Sequence, residues 1–397
     1  MLTLLLHILD WMLWLFLLGS VGYIVFFAFV SLFGTKRSTS HQPSDISHQP
    51  SDISHQRSTF LVVYPAYHED TVIRQSVETF LQQNYPTDRY RLVVVSDHMT
   101  DATNEWLSSQ PLTLLRPTFE KSSKARALQH AVQSVENTYD YIVILDADNV
   151  VQPDFLTRLN AVCQQGCRAI QCHRTAKNAN NDVAALDGIS EEINNTIFRR
   201  AHNAIGLSSA LIGSGMCFDY RWFADHVDRL QTAVEDRELE ALLLYEGIYV
   251  HYEADLPVMD EKVSSGDNFQ RQRLRWMTGQ VQSLLQMLPN IPHAIRHANI
   301  NYIDKTVQQM LIPRSILLLV LPVATIVVTL LSWQASLKWW LLLLLFGLSL
   351  FIAIPRQLRS RALFSKALAL PSLAWRMTKN LFHIERQNTD FLHTTHG

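Results

Sequence analysis

Four groups of residues that could do chemistry stand in one order along this 397-residue chain. Asp97 ends VVVSD, Asp146 and Asp148 close VILDAD, Glu235 and Asp236 form a second acidic pair, and Gln272, Arg275 and Trp276 follow in QRQRLRWMTGQ. Residues two apart in an extended segment point to one side, so Asp146 and Asp148 would set two carboxylates together. Such a pair repels itself unless a cation sits beside it. Mg²⁺ or Mn²⁺ suits carboxylate and phosphate oxygens and would neutralise a leaving diphosphate. A solvated acidic turn fits the same short pattern. Asp236 could be a general base for a hydroxyl, or could only complement the positive end of the helix that EDRELEALLLYEG predicts. Gln272, Arg275 and Trp276, spaced i, i+3, i+4, share a helical face. Arg suits diphosphate oxygens, and Trp offers a flat surface to a sugar or base. An interfacial helix at lipid headgroups is the other reading of that face, with Arg271 and Arg273 contributing.

The elements that must position these groups alternate. FLVVYPA reads as a buried strand, Asp70 to Gln83 as an amphipathic helix, YRLVVVSD as a strand, Lys124 to Val135 as a helix and DYIVILDAD as a further strand. Apolar strands alternating with helices predict an α/β fold whose mostly parallel sheet is covered on both faces. Ligands bind at the carboxyl ends of such strands. Tyr67, Asp97, Asp146 and Asp148 all fall there and can converge on one crevice.

Hydrophobic residues make up 48% of the chain and are unevenly placed. Trp11 to Phe33 is 23 residues without a charge, and Lys36 and Arg37 follow it. A retained transmembrane anchor with its C-terminal end in the cytoplasm fits better than a cleaved signal, whose apolar core would be shorter and preceded by basic residues. Ser315 to Leu331 and Trp339 to Ile354 form a second apolar pair, flanked by Arg314 and by Arg356, Arg359 and Arg361. They predict a hairpin with both flanks cytoplasmic and no ionisable group inside any core span. The predicted organisation is therefore an anchor (1–35), a polar linker (36–57), a cytoplasmic domain (58–290), an interfacial segment (291–314), the hairpin (315–355) and a cytoplasmic tail (356–397). The linker repeats SHQPSDI and has no core-forming pattern. Cys163, Cys167, Cys172 and Cys217 lack zinc-like spacing and read as reduced thiols. A net charge of −2 gives no basic field for nucleic acid.

The order D, DxD, ED, QxxRW between membrane helices resembles membrane-bound family 2 glycosyltransferases, among them cellulose, chitin, hyaluronan and poly-N-acetylglucosamine synthases. The likeness runs from about Phe60 to Gln280. It implies a GT-A fold with Pro65, Tyr67, Glu69 and Asp97 around the nucleoside and Lys124 near its phosphates. Asp146 and Asp148 would hold UDP and the Mg²⁺ or Mn²⁺ ion, with Asp236 as catalytic base. Glu235, Gln272, Arg275 and Trp276 would face the diphosphate and acceptor, and Gly213, Ser214 and Gly215 would shape the acceptor floor. The tail FLHTTHG resembles a gating loop through Phe391 and Thr394, with Thr395 beside them and His396 where relatives have Lys.

The resemblance implies an inverting enzyme at the cytoplasmic face of a bacterial inner membrane, adding β-linked sugars from a UDP-sugar to a glycan. Single transfer to a polyprenyl-phosphate or other lipid is a second reading, and a non-catalytic subunit of an export complex a third. Three spans are few for a polymer channel, so secretion would call for a homo-oligomer or an export partner.

Overall fold

The computed structural model describes residues 2–33, 57–136, 138–178, 182–232, 234–262 and 266–359. The linker and the tail that carries Phe391, Thr394, Thr395 and His396 lie outside them. Eight strands form one sheet: β1 (Phe60–Tyr67), β2 (Tyr90–Asp97), β3 (Thr113–Leu115), β4 (Tyr141–Ile144), β5 (Val150–Val151), β6 (Ala169–Ala176), β7 (Met216–Asp219) and β8 (Val250–Asp260). Their order is β3-β2-β1-β4-β7-β6-β8-β5. The β3-β2-β1-β4 half is parallel. Beyond β4 the sheet is mixed, because β7 runs antiparallel to both β4 and β6, and β5 antiparallel to β8. The expected mostly parallel sheet therefore holds for one half only. The departure arises at β7, which follows the helical segment 182–204 and the Gly213–Gly215 loop and inserts antiparallel between β4 and β6.

Alternation along β1 and β2 splits the core. Phe60, Val62, Tyr64, Leu92 and Val94 pack on one face, and Leu61, Val63, Val93 and Val95 on the other. Helices α2 (Ile73–Phe80), α3 (Asp101–Ser108), α4 (Lys124–Gln133) and α5 (Phe155–Cys163) are followed by α6 (Asp182–Asn194), a π-helical turn (Asn195–Arg200) and α7 (Ala201–Ala204). Then come α8 (Tyr220–His226), α9 (Glu235–Tyr245), α10 (Gly266–Met287), α11 (Ile291–Arg296) and α12 (Ile300–Met310). Ile73, Val77 and Phe80 of α2 cover the first face with Phe155 and Leu159 of α5. Leu128 of α4, Phe223 of α8 and Leu239 of α9 cover the second. The four cysteines are free thiols, three of them buried. Burial raises the Cys172 and Cys217 pKa values well above the ordinary thiol range.

Among the described residues three helices are long and apolar enough to cross a membrane: α1 (Leu2–Val30), α13 (Arg314–Leu331) and α14 (Trp333–Ala353). Two exceed their expected bounds and take in charge. Asp10 of α1 meets Lys338 of α14 at 2.5 Å and accepts from Trp339 Nε1 at 2.7 Å. The Lys338 ammonium also lies 3.6 Å above the Trp11 ring. Asp10 and Lys338 lie just outside the expected core spans, in the added helical turns, and neutralise each other near one end of the bundle. The pairing brings the start of α1 to the start of α14, as expected if both begin on the same side.

The bundle and the α/β domain share a core. Leu17, Val21 and Phe27 of α1 pack with Leu321, Trp339 and Phe346, and with Ile193, Ile197 and Ala201 from the α6–α7 segment. A polar lock reinforces this contact. Tyr23 Oη donates to Asp304 Oδ1 at 2.7 Å, lies 2.8 Å from His202 Nε2, and Phe27 stacks on the His202 ring at 3.7 Å. Tyr23→Phe should cost about 1–3 kcal/mol, the usual consequence of removing one partner from a buried polar group. A thermal melt in nanodiscs, with binding of nucleotide as the check on the domain, reads this directly.

Candidate active site

The parallel register brings the carboxyl ends of β1 and β2 side by side, with Tyr67 opposite Asp97. Chain reversal begins at once on both strands. His68 and His98, the next residues, hold positive φ values of 55° and 56°. These are uncommon for non-glycine residues outside turns and functional sites. The His68 amide donates to Asp97 O, and His98 Nδ1 lies 2.6 Å from Asp97 Oδ1. Tyr67, His68 and His98 form one aromatic group, with ring centroids 4.6–5.6 Å apart. Buried Asp97 thus sits beneath flat surfaces suited to a nucleobase.

Lys124 opens α4, whose N-cap Ser123 accepts from the Arg126 amide. Its ammonium reaches Asp146 Oδ1 at 2.5 Å, Gly213 O at 2.5 Å and Glu235 Oε1 at 3.4 Å. Burial alone would lower its pKa, but Asp146 and Glu235 outweigh burial and raise it, so Lys124 stays charged. Glu235 is pushed up to about 7, first by burial and then by the like charge of Asp236, against the pull of Lys124.

Asp146 and Asp148 do not lie in extended backbone. Strand β4 ends at Ile144, and a turn closed by the Asn149 amide on Asp146 O follows. The turn separates the two side chains. Asp146 faces the cavity beside Lys124, whereas Asp148 is buried, accepting from Asn149 Nδ2 and from the Glu261 amide. Ser214 bonds Asn149 Oδ1 and accepts from the Asp146 amide at 3.2 Å. Ser214 and Gly215 therefore stand behind the cavity wall and hold the turn, whereas Gly213 lines the cavity. Gly213 has φ +81°, and a Cβ there would come 3.7 Å from Asp236 Oδ2. Among the described residues no group of three or more His, Cys, Asp or Glu side chains forms a metal cluster. Asp146 and Asp148 both border the cavity with oxygen ligands, the set that suits a divalent ion arriving with a diphosphate.

Asp236 sits in the first turn of α9, where Glu235 and Glu238 are also acidic, so the helix-dipole reading and the site reading coincide. Opposite it, Gln272, Arg275 and Trp276 of α10 line the same cavity. Among the described residues Gln272 Oε1 is buried with no hydrogen-bond partner, a costly state unless something else fills it. Gly279, one turn on, sets how closely α10 approaches α9. A Cβ there would stand 2.6 Å from Val234 Cγ1, the residue before the acidic pair.

Asp97, Lys124, Asp146, Asp148, Glu235, Asp236 and the Gln272–Arg275–Trp276 face border one cavity of about 640 Å³. Pro65, Tyr67, Glu69 and Asp97 form one end, and Lys124, Asp146, Asp236 and Arg275 the middle. The other end is walled by Ile24, Leu318, Leu350, Phe351 and Ile354 of the three apolar helices. Sequence reasoning missed several polar wall residues, four of the cations among them being Arg174, Arg199, Arg314 and Lys305. Arg174 is a buried cation on β6, bonded to Asp260 at 2.6–2.7 Å. Arg199, on the π-helical turn, pairs with Glu191 at 3.0 Å. Arg314 donates to Ser190 and Asn194, and Lys305 pairs with Glu240 at 2.6 Å. An arginine inside a strand as apolar as AIQCHRTA was a usable signal for Arg174; the others depend on tertiary contacts.

The family profile described as glycosyltransferase like family 2 matches residues 56–279, more than half of the chain. The chain belongs to glycosyltransferase family 2. A probable glucomannan 4-beta-mannosyltransferase of Arabidopsis thaliana is 25% identical over 250 residues, 59% of this chain and 46% of that protein. The probable glycosyltransferase YdaM of Bacillus subtilis is 32% identical over 95 residues, 22% of each chain. The chain thus spans less than half the length of either relative. Among solved structures, the mannosyltransferase PcManGT of Pyrobaculum calidifontis, in complex with GDP-Man and Mn²⁺, aligns with a TM-score of 0.55 at 19% identity. That alignment covers 93% of this chain and 98% of the other, and shows a shared GT-A-like fold.

Two measurements test this geometry. Gly279→Ala should force α10 away from Val234 and lower turnover roughly 10–100-fold, since misplacements of about 1 Å cost that much; unchanged turnover would show that the helices yield freely. Glu235 has a raised folded pKa, so its contribution to stability is full below the ordinary carboxyl value of 4.5 and is lost as pH rises to about 7. The melting temperature of the wild type minus that of Glu235→Gln should fall between pH 5 and 7 and level off above. A flat difference would remove Glu235 from the titrating cluster.

Proposed function

We propose that this protein is a membrane-bound inverting glycosyltransferase that moves a sugar from a nucleoside diphosphate to an acceptor hydroxyl at the cytoplasmic face. One observation carries the reading: Lys124 ties the Asp146 turn to the Glu235–Asp236 helix in a cavity that Gln272, Arg275 and Trp276 close from the other side.

Tyr67, Glu69, Asp97 and the two strained histidines bind the nucleoside. Lys124, Arg275 and Gln272 hold the diphosphate. Asp146 and Asp148 would hold Mg²⁺ or Mn²⁺ with it, and the ion supplies charge neutralisation for the diphosphate. Asp236 takes the proton of the acceptor hydroxyl. The oxygen forms its bond to the anomeric carbon as the carbon–diphosphate bond breaks, and that electron pair leaves with the nucleoside diphosphate. Attack opposite the leaving group turns an α-linked donor into a β-linked product. The sequence resemblance favours UDP as carrier and a polysaccharide or other glycan as product. The GDP-Man bound by the Pyrobaculum neighbour puts GDP-sugars in the same test.

Membranes containing the full chain, given Mn²⁺ and a panel of UDP- and GDP-sugars, should release nucleoside diphosphate with one donor class. Asp236→Asn should reduce that release by about 10²–10⁴-fold, the usual worth of a positioned base. Equal release by wild type and variant would remove Asp236 from the chemistry.

A further inference from the structure

We infer that the acceptor is a hydroxyl carried on a membrane lipid, whose hydrocarbon enters the apolar end of the cavity from the side of the bundle. The inference rests on the glycosyl-transfer reading above and names its acceptor class.

The apolar end is neither a solvent cleft nor a conduit. Its wall is Ile24 of α1, Leu318 of α13, and Gly347, Leu350, Phe351 and Ile354 of α14. On α14 the lining runs over one face of the last two turns, from Gly347 to Ile354, about 10 Å at 1.5 Å per residue. Beyond that depth the three helices close on one another. Leu17, Val21, Leu321, Trp339, Leu342 and Phe346 are each at most 2% exposed and fill the axis. Among the described residues the cavity therefore ends inside the near half of the membrane-spanning bundle.

A growing polysaccharide does not suit such an end. Each sugar brings several hydroxyls, and an unpartnered buried hydroxyl costs free energy that this aliphatic wall cannot return. Stacking surfaces are also scarce there, limited among the described residues to Phe351 and Phe198. A hydrocarbon chain meets neither difficulty. The wall also gives onto the lipid side. Phe351 is 41% exposed, and Gly347, one turn before it on the same face, has no atom within 4 Å of where a Cβ would be. Gly347 thus leaves an open notch between the bilayer and the cavity. Between the apolar end and Asp236 lies a polar collar that includes Arg199, Gln308 and Arg314, at the level where a lipid headgroup would sit. The π-helical turn carries Arg199 into that collar, and such turns concentrate at functional sites. The headgroup hydroxyl then reaches Asp236, which takes its proton as the glycosidic bond forms.

The experiment uses full-length protein in vesicles of phosphatidylethanolamine and phosphatidylglycerol, with a radiolabelled sugar of the productive donor. The vesicles are doped in turn with alkyl glycosides of increasing chain length, diacylglycerol, or a polyprenyl phosphate. The expected result is an Asp236-dependent, acid-stable product extracted into organic solvent. For glycosides short enough to stay monomeric in water, KM expressed as aqueous concentration should fall with chain length, by about fourfold for each methylene moved out of water. Gly347→Leu should raise KM for the longest glycoside by about tenfold or more, as one leucine side chain occupies the space of several methylenes, while the shortest glycoside is little affected. Nucleotide binding, read separately, reports whether the variant is folded. A high-mass, water-soluble product with no labelled lipid overturns the inference and leaves glycosyl transfer standing. So does a KM indifferent to chain length and to Gly347→Leu. An acid-labile product made only with polyprenyl phosphate overturns the hydroxyl acceptor. No Asp236-dependent turnover with any donor overturns both readings together.

Discussion

Everything in the site is arranged around one buried ammonium. Lys124 touches Asp146 from the turn after β4, Gly213 O from the loop before β7, and Glu235 from the start of α9. These three segments are distant in sequence and belong to different parts of the sheet. A buried cation with several acidic neighbours is costly to assemble and more costly to break, because any partner left behind is an uncompensated charge. That asymmetry makes Lys124 a strong constraint on where the three segments can lie. It fixes the gap between Asp146 and Asp236, across which donor and acceptor would meet.

The three long apolar helices are not an appendage to the α/β domain. Trp339 and Phe346 share a core with Ile193 and Ile197 of the catalytic domain, and Tyr23 reaches His202 and Asp304. A shift of α1 or α14 would therefore be felt in the α6–α7 segment, whose π-helical turn brings Arg199 to the cavity. The polar contacts fall at the two ends of the bundle. Asp10–Lys338 lies at one end, and Tyr23–His202–Asp304 at the domain end, so hydrocarbon meets mostly apolar surface between them.

Local pattern made much of this legible. The period-two burial of β1 and β2 on both faces follows from runs such as FLVVY, and the i, i+3, i+4 spacing does put Gln272, Arg275 and Trp276 on one cavity wall. What escaped the sequence depended on where the chain turns. DYIVILDAD reads as one strand, yet the strand stops at Ile144, and a single turn separates half-buried Asp146 from buried Asp148. The pairing of Asp148 with the Glu261 amide depends on a β8 neighbour more than 100 residues away. The mixed half of the sheet was illegible for a similar reason, since MCFD is apolar in either strand direction. Asp10 and Lys338 looked like the limits of their spans because a charge ends an apolar run in a sequence scan. Their mutual contact lets both helices continue past them.

The charge balance of the site says what must enter with the donor. Asp146, Asp148, Glu235 and Asp236 border the cavity, and Lys124 pairs with only two of these carboxylates. Burial first, and then the like charge of Asp236, push the Glu235 pKa up to about 7 against the pull of Lys124. A diphosphate brings more negative charge to the same place, so donor binding is unfavourable unless positive charge accompanies it. Arg275 and the buried Arg174 supply part of that, and Asp146 and Asp148 are suited to a divalent ion that supplies the rest. Once the nucleotide leaves, the same acidic surplus repels it. On the proposed reading, the electrostatics that make the site demanding toward a nucleotide donor would also favour release of the product diphosphate.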